Sequence, residues 1–172
     1  REKGTFDTAK AFYRGNQTFR SSVSELDELW FFFDTEIDKA AQWEQDMKCL
    51  KDIIASRKRN PIKIRLLMTT GCVEYWFLLH YERVRPAIVT PADKERAKKE
   101  LQKHVPTYRK GDQKTTEEIA SHYQTAIENG RWTLECLKGE GIPEGGMRDQ
   151  WLFQGKHTFT TVHETVAMLM SL

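Results

Sequence analysis

Two pairs of histidine and acidic residues have spacings that could support metal binding or proton transfer. His163 and Glu164 match the first two positions of the zinc-binding HExxH motif, but Ala167 occupies the position of the second histidine. Glu118 and His122 would share one face of a helix, at a spacing that is common by chance. The ExxH spacing repeated on two helices, as in di-iron bundles, does not occur. We therefore predict no bound metal.

The sequence indicates neither a reactive cysteine nor a glycine-rich phosphate-binding loop. Cys72 and His80 could meet only through tertiary contacts, and a thiol within such an apolar segment is more typical of core packing. No GxxxxGK[ST] or GxGxxG phosphate loop is present, and the glycines of segment 139–146 follow a predicted helix instead of opening one. We predict no cofactor and name no catalytic residue, so enzymatic activity is uncertain and the sequence favours its absence.

The cysteines and the first residue bear on cellular location. The three cysteines are Cys49, Cys72 and Cys136. They form no CxxC pair, and three separated thiols are more typical of the cytoplasm or nucleus than of a disulfide-framed secreted domain. The most apolar segment, 66–81, is too short for a membrane span and is interrupted by an acid and a histidine. Because the chain starts at Arg1, we expect a fragment or processed form of a larger protein, and an organelle is not excluded.

The 172 residues carry a formal net charge of +2, but the charges are segregated along the chain. Segment 25–56 contains nine acidic and three basic residues, whereas segment 94–114 contains eight basic and three acidic residues. A second basic segment, 57–65, contains no acid. The candidate contacts for phosphate groups or for an acidic partner are Arg57, Lys58, Arg59, Lys63, Arg65, Lys98, Lys99, Lys103, Arg109 and Lys110.

These basic segments have two interpretations. They could converge into a patch that binds a nucleic-acid backbone or an acidic protein, with Tyr108 stacking on a base. Alternatively, they could lie against the acidic segment or be solvated, with lysine stems covering apolar surface. The sequence pI of about 8.4 is below that of strongly basic nucleic-acid-binding domains, which favours the second interpretation.

Aromatic residues are abundant, with nine Phe and five Trp. Trp30 and Phe33 fit the apolar stripe of a predicted helix, and we expect both in the core. Phe31 and Phe32 fit this stripe less well, because one helix face cannot hold four consecutive rings. A second aromatic segment, 151–153, lies between two glycine-bearing loops. Protein interfaces favour such aromatic anchors. The candidate partner contacts are Phe31, Phe32, Trp151 and Phe153.

The elements expected to position these residues are helices. A capping box at Ser22 and Glu25, followed by apolar residues spaced three and four apart, predicts a helix over 22–58 with a bend or break near 42–45. Segment 62–84 is apolar nearly all round and predicts a central buried helix, although its start also suits a strand.

Local signals predict further helices and hence the fold class. A short helix is expected over 6–13, and others are opened by Thr90 with Pro91, by Thr115 and by Thr161. Short connections between such helices imply an all-α fold. We expect a helical bundle or a short stack of helical hairpins, with about five to seven helices in a single domain, 1–172.

These features predict a non-catalytic protein–protein interaction or assembly domain. It would bind another protein, or a second copy of itself, through aromatic anchors, while segregated charge sets the orientation. The alternative is an intracellular helical module that binds RNA or DNA through segments 57–65 and 94–114. A surface on which these two basic segments merge would favour the alternative.

Overall fold

The chain forms helices on both sides of a small parallel sheet. The computed structural model describes residues 4–23, 25–55 and 61–172. The strands are β1 (Glu28–Thr35) and β2 (Lys63–Thr70). The helices are α1 (Thr5–Gly15), α2 (Gln17–Val23), α3 (Trp43–Ile54), α4 (Val73–Leu78), α5 (Pro91–His104), α6 (Gln113–Ala120), α7 (Tyr123–Lys138), α8 (Arg148–Gln154) and α9 (Val162–Leu169), with 3₁₀ helices at Ile37–Gln42 and Gly145–Met147. The prediction of an all-α bundle is therefore wrong, because the described residues form a mixed α/β fold.

Strand β1 lies where the sequence predicts a helix over 22–58. It pairs in parallel with β2, and Trp30 is opposite Arg65 while Phe32 is opposite Leu67. A strand alternates its side chains between two faces, so it separates the four consecutive rings that one helix face could not hold. Aromatic residues also favour strands. The helical spacing over β1 is therefore coincidental, and the segment is α-helical only at its first residues, which end α2, and in α3.

Gly71 divides segment 62–84 into a strand and a helix. The prediction of one buried helix is wrong, whereas the alternative of a strand at its start is confirmed by β2. Gly71 has a φ of +76°, a backbone conformation that residues with a side chain rarely adopt. Its N–H donates to the carbonyl oxygen of Thr35 at 2.8 Å, which ties this turn to the end of β1. Over the described residues, no helix is long and apolar enough to cross a membrane.

Different helices cover the two faces of the sheet. On one face, Phe31 packs with Phe6 of α1 and with the apolar side of α3. On the other face, Leu67 packs with Tyr75 of α4 and Val162 of α9. Burial on both faces is typical of parallel strands and explains why the centre of β2 is a continuous apolar run.

Helices with strong local capping signals are found close to where the sequence predicts them. The helix opened by Thr90 is confirmed as α5, where Thr90 and Asp93 form a reciprocal capping box. The helix expected from Thr115 is confirmed in part, because Asp112 supplies the cap and the segment is divided into α6 and α7. The cap expected at Ser22 is wrong: Ser22 lies inside α2, and its hydroxyl donates to the backbone one turn earlier.

The chain just before α9 closes the outer edge of β2. The N–H of Thr70 donates to the carbonyl oxygen of Phe159 at 3.1 Å, and the N–H of Thr161 donates to that of Met68 at 2.9 Å. The Thr161 hydroxyl accepts from the N–H of Met68 at 2.9 Å and donates to the carbonyl oxygen of Leu66 at 2.8 Å. These bonds satisfy backbone groups that a third strand would otherwise pair.

Replacing Thr161 with valine should lower the free energy of unfolding by about 2 kcal/mol, because the buried backbone partners of its hydroxyl would lose a hydrogen bond. Urea denaturation followed by circular dichroism would measure this loss. The matched control is Thr125→Val at an exposed position of α7, which should change the free energy by less than about 0.5 kcal/mol. Equal losses in the two variants would contradict the role assigned to Thr161.

Candidate functional site

The edge of β1 that faces away from β2 is open. Gly71, just past β2, donates to the carbonyl oxygen of Thr35, so the odd-numbered residues of β1 direct their backbone groups toward β2. The N–H and C=O groups of Trp30, Phe32 and Asp34 consequently point outward. Within the part of the chain that the structure describes, no backbone group pairs with them on that side. β1 therefore presents an edge that can accept another strand.

Two large aromatic side chains lie exposed beside this edge. The exposed fraction is 40% for Trp30 and 44% for Phe32. The indole N–H of Trp30 donates to a carboxylate oxygen of Glu28 at 3.0 Å, which orients the ring. The expectation that Trp30 lies in the core is wrong, because strand alternation places it on the opposite face from Phe31 and Phe33. The open edge and the Trp30 and Phe32 rings together are termed the β1 surface.

Only Phe32, of the four aromatic residues chosen as partner contacts, presents a largely exposed ring. Phe31 is buried and stacks on a ring of α1, with centroids 5.4 Å apart. Phe153 is buried against the tryptophan that begins α3, at a centroid distance of 5.3 Å. Trp151 is half-buried and stacks on the ring of His157 at 4.0 Å. These three rings pack within the protein, so the structure does not gather the four into one surface.

Charged residues gather at the amino end of the two strands. The Nε of Arg65 lies 2.5 Å from Oε2 of Glu28, and the Nζ of Lys63 lies 3.3 Å from Oε1 of the same residue. Hydrogen bonding from Arg65 lowers the pKa of Glu28 to about 2. Lys63 and Arg65, both chosen as phosphate contacts, therefore pair with an acid of β1.

A second polar cluster lies at the carboxyl end of β1. Glu74 is only 4% exposed, and the hydroxyl of Tyr108 donates to its Oε1 at 3.2 Å while the Nζ of Lys110 lies 3.9 Å from the same oxygen. Oδ1 of Asp34 is buried without a hydrogen-bond partner in the described residues, and burial raises the pKa of this carboxyl. Tyr108 is itself buried, so its ring does not present a surface for a base.

This cluster does not have the composition of a metal site. In residues 4–23, 25–55 and 61–172, no group of three histidine, cysteine or acidic side chains is arranged to hold a metal ion. Lys110 and Tyr108 instead satisfy the Glu74 carboxylate and tie α4 to the loop that follows α5. Glu74 and Tyr108 are buried and Lys110 is largely exposed, so this cluster is a polar network that holds two elements in one arrangement.

Most basic residues of segment 94–114 lie beside acids. The pairs are Lys94–Glu36, Arg96–Asp93, Lys98–Glu95, Lys103–Glu100 and Lys110–Glu74. Lys99 and Arg109 are exposed. The remaining predicted contacts, Arg57, Lys58 and Arg59, lie outside the described residues. Pairing with acids makes this segment less suited to phosphate binding than its sequence suggests.

Sequence reasoning missed the β1 surface because it assigned that segment to a helix. One signal was available: the apolar residues 29–33 are followed by Asp34 and Thr35, and a short apolar run with a polar end is typical of a buried strand. Such a strand in an open parallel sheet commonly presents its carboxyl end to a ligand.

Comparison with known proteins identifies one family over nearly the whole chain. The comparison with curated proteins and the comparison with solved structures returned no match. One family model, described as RloB-like protein, matches residues 3–169. Since this match covers nearly all of the 172 residues, the chain belongs to the RloB-like protein family.

Proposed function

We propose that this RloB-like protein is an assembly module that binds an extended segment of a partner protein along the β1 surface. The observation that carries the proposal is the outward backbone edge of β1 with two exposed rings, Trp30 and Phe32, beside it. An extended segment would pair its backbone with β1 and cover the rings with alternate apolar side chains. Strand addition obtains affinity from main-chain hydrogen bonds and specificity from side-chain pockets.

The composition of β1 supports this type of partner. Natural edge strands are usually protected by lysine, proline or a bulge. The five residues between Glu28 and Asp34 are Leu, Trp and three Phe, with no charge and no proline. A two-stranded parallel sheet is also smaller than is usual, and parallel sheets normally have both faces covered. An added strand would extend the sheet, and its side chains on the same face would pack beside Trp30 and Phe32.

The charges at the two ends of β1 favour one register. Glu28, with Arg65 and Lys63, forms an ionic cluster at the amino end, and the buried carboxyl of Asp34 lies near the carboxyl end. Apolar side chains of a partner are therefore best placed opposite the centre of the strand. A slip by one residue would turn the alternate side chains of the partner away from both rings.

Amide hydrogen exchange with selected peptides tests this proposal. In the free chain, the amides of Trp30, Phe32 and Asp34 should exchange faster than those of Phe31 and Phe33, which point toward β2. Octapeptides selected from a displayed library should slow exchange at the three outward amides. We expect bound peptides to share apolar residues at alternate positions.

Two substitutions at one position provide the matched control. Phe32→Ser removes the ring and keeps the outward N–H, whereas Phe32→Pro removes both. Peptide affinity should fall about tenfold with serine, because a buried ring of this size is lost, and at least tenfold further with proline. Selected peptides that leave the outward amides unprotected would overturn the proposal, as would a second copy of the chain, detected by light scattering, that occupies β1 in their place.

The nucleic-acid alternative has less support. Of its expected contacts, Lys63 and Arg65 pair with Glu28, and the ring of Tyr108 is buried. The acids beside the basic residues of α5 also reduce the net positive field of that helix. We therefore propose a polypeptide partner.

A further inference from the structure

A cleft lies at the carboxyl ends of both strands, on the face covered by α8. Its volume is about 180 Å³, and it is open to solvent. Its ionisable lining residues are Glu36, Arg85, Glu140, Lys156 and His157, and Thr35 and Thr70 also border it. Glu36 is paired with Lys39 and Lys94, and the Thr70 hydroxyl bonds to the backbone of His157 and Phe159. Thr35 and Thr70 are the last residues of β1 and β2. Loops at the carboxyl ends of parallel strands are the usual place for a bound ligand.

Two side chains of the cleft, Arg85 and His157, already hold an anion, which is a carboxylate of the same chain. Arg85 donates from Nη2 to Oε1 of Glu140, and Nδ1 of His157 lies 3.0 Å from Oε2 of Glu140. Hydrogen bonding from Arg85 lowers the pKa of the Glu140 carboxyl. Glu140 is exposed and lies in the turn after α7, where it can leave without disturbing a helix.

The packing around His157 fixes its ring in the cleft. Trp151 stacks on the imidazole at a centroid distance of 4.0 Å and an interplanar angle of 15°. On another side, a Cβ added to Gly155 would lie 2.2 Å from Cδ2 of His157, so only glycine leaves room for the ring. The imidazole is therefore held in place by its surroundings before any ligand arrives.

The Glu140 carboxylate leaves several donors of the cleft without an acceptor. Nη1 of Arg85 is buried without a hydrogen-bond partner among the described residues. Lys156 is exposed and forms no ion pair within that part of the chain, and the hydroxyl of Thr35 likewise has no hydrogen-bond partner there. The two oxygens of a carboxylate are used by Arg85 and His157. A phosphate group has an additional oxygen and more negative charge, which suits the remaining donors better.

We propose that this cleft binds a phosphate-bearing small molecule, whose phosphate group displaces Glu140 from Arg85 and His157. Lys156 and Thr35 bind the oxygens that a carboxylate does not supply. Glu140 occupies the site when no ligand is present and pairs with Arg85 and His157. The inference is independent of strand addition at β1, since it concerns different side chains on the other face of the sheet.

Isothermal titration of the folded chain with inorganic phosphate and with adenosine monophosphate, at constant ionic strength, tests the proposal. Glu140→Gln should tighten phosphate binding about tenfold, because it removes the competing charge while retaining a similar shape. Lys156→Gln, at an exposed position, should weaken binding about threefold. Lys103→Gln, an exposed lysine on α5 that does not line the cleft, is the control and should leave the affinity unchanged.

Arg85→Gln should abolish measurable binding, with circular dichroism and urea denaturation used to confirm that the variant is folded. Equal affinity of the native chain and Glu140→Gln would overturn the displacement of Glu140. A loss of affinity in Lys103→Gln as large as that in Lys156→Gln would overturn the site, since it would indicate nonspecific attraction. Binding of a single-stranded oligonucleotide, with no binding of either small probe, would also overturn it.

Discussion

Replacing Gly71 with alanine should lower the free energy of unfolding by about 3 kcal/mol, one of the two largest effects we expect. Two costs add at this position. The backbone φ of +76° costs an L residue about 1 kcal/mol. The new Cβ would lie 2.3 Å from Cγ2 of Ile88, and forcing a methyl group into such a packed site costs about 2 kcal/mol more. Equilibrium urea denaturation followed by circular dichroism measures the sum.

A substitution at Gly111 allows the backbone cost to be measured without the steric cost. It has a similar φ of +83°, but a Cβ added there would have no neighbour within 4 Å. Gly111→Ala should therefore show the backbone cost alone, about 1 kcal/mol. In a double-mutant cycle, Ile88→Ala should remove most of the additional loss at Gly71. Equal destabilisation by Gly71→Ala and Gly111→Ala would contradict the close contact with Ile88.

Lowering the pH from 7.5 to 5 should reduce the free energy of unfolding by about 4 kcal/mol through His80 and His163 together. Both side chains are buried, and burial lowers the pKa of each to about 4. Between pH 6.5 and 4 the unfolded chain therefore binds more protons than the folded chain, so acid favours unfolding. Each ring accounts for about 2 kcal/mol of the loss at pH 5, whereas above pH 6.5 both rings are neutral in either state and the stability is retained.

Comparison of histidine variants over this pH range isolates the effect. His163→Gln should remove about half of the pH-dependent loss, and the double variant with His80→Gln should remove most of it. Thr125→Val, which removes no ionisable group from an exposed position, is the control and should retain the full loss. Burial raises the pKa of Asp34 and of Asp46, which opposes the histidines, but these carboxyls are common to all the variants. An unchanged slope in the double variant would contradict the assignment.

The parts of the fold that the sequence predicts correctly depend on short-range chemistry. Helix α5 was identified because Thr90, Pro91 and Asp93 form a cap within four residues of chain. The start of β2 was recognised as compatible with a strand from its local preference for extended backbone. Each of these signals lies within the element that it specifies.

Strand β1 could not be identified in the same way. Its pairing partner begins at Lys63, opposite Glu28, and no turn signal joins the two strands. Its apolar residues also fit a helical spacing of three and four, so the periodicity agreed with the wrong element. The consecutive rings were the contrary signal, because only an alternating backbone distributes them between two sides.

The β1 surface and the cleft differ in how many of their residues can be predicted from the sequence. Phe32 was chosen from the sequence because it did not fit a helical stripe, and it does lie exposed on the β1 surface. The cleft depends on Arg85, Glu140 and His157, which come from three separate segments and form no motif. Only the fold brings them together, and each residue alone resembles an ordinary surface charge.

The closure of the β2 edge by Thr161 and its neighbours has a consequence for stoichiometry. Because backbone groups of Leu66, Met68 and Thr70 on that edge are satisfied, β1 offers the longer open edge for growth of the sheet within the described residues. A segment bound along β1 as proposed would thus form a one-to-one complex. Open-ended polymerisation through the sheet would need two long open edges on each chain, and the described residues supply one.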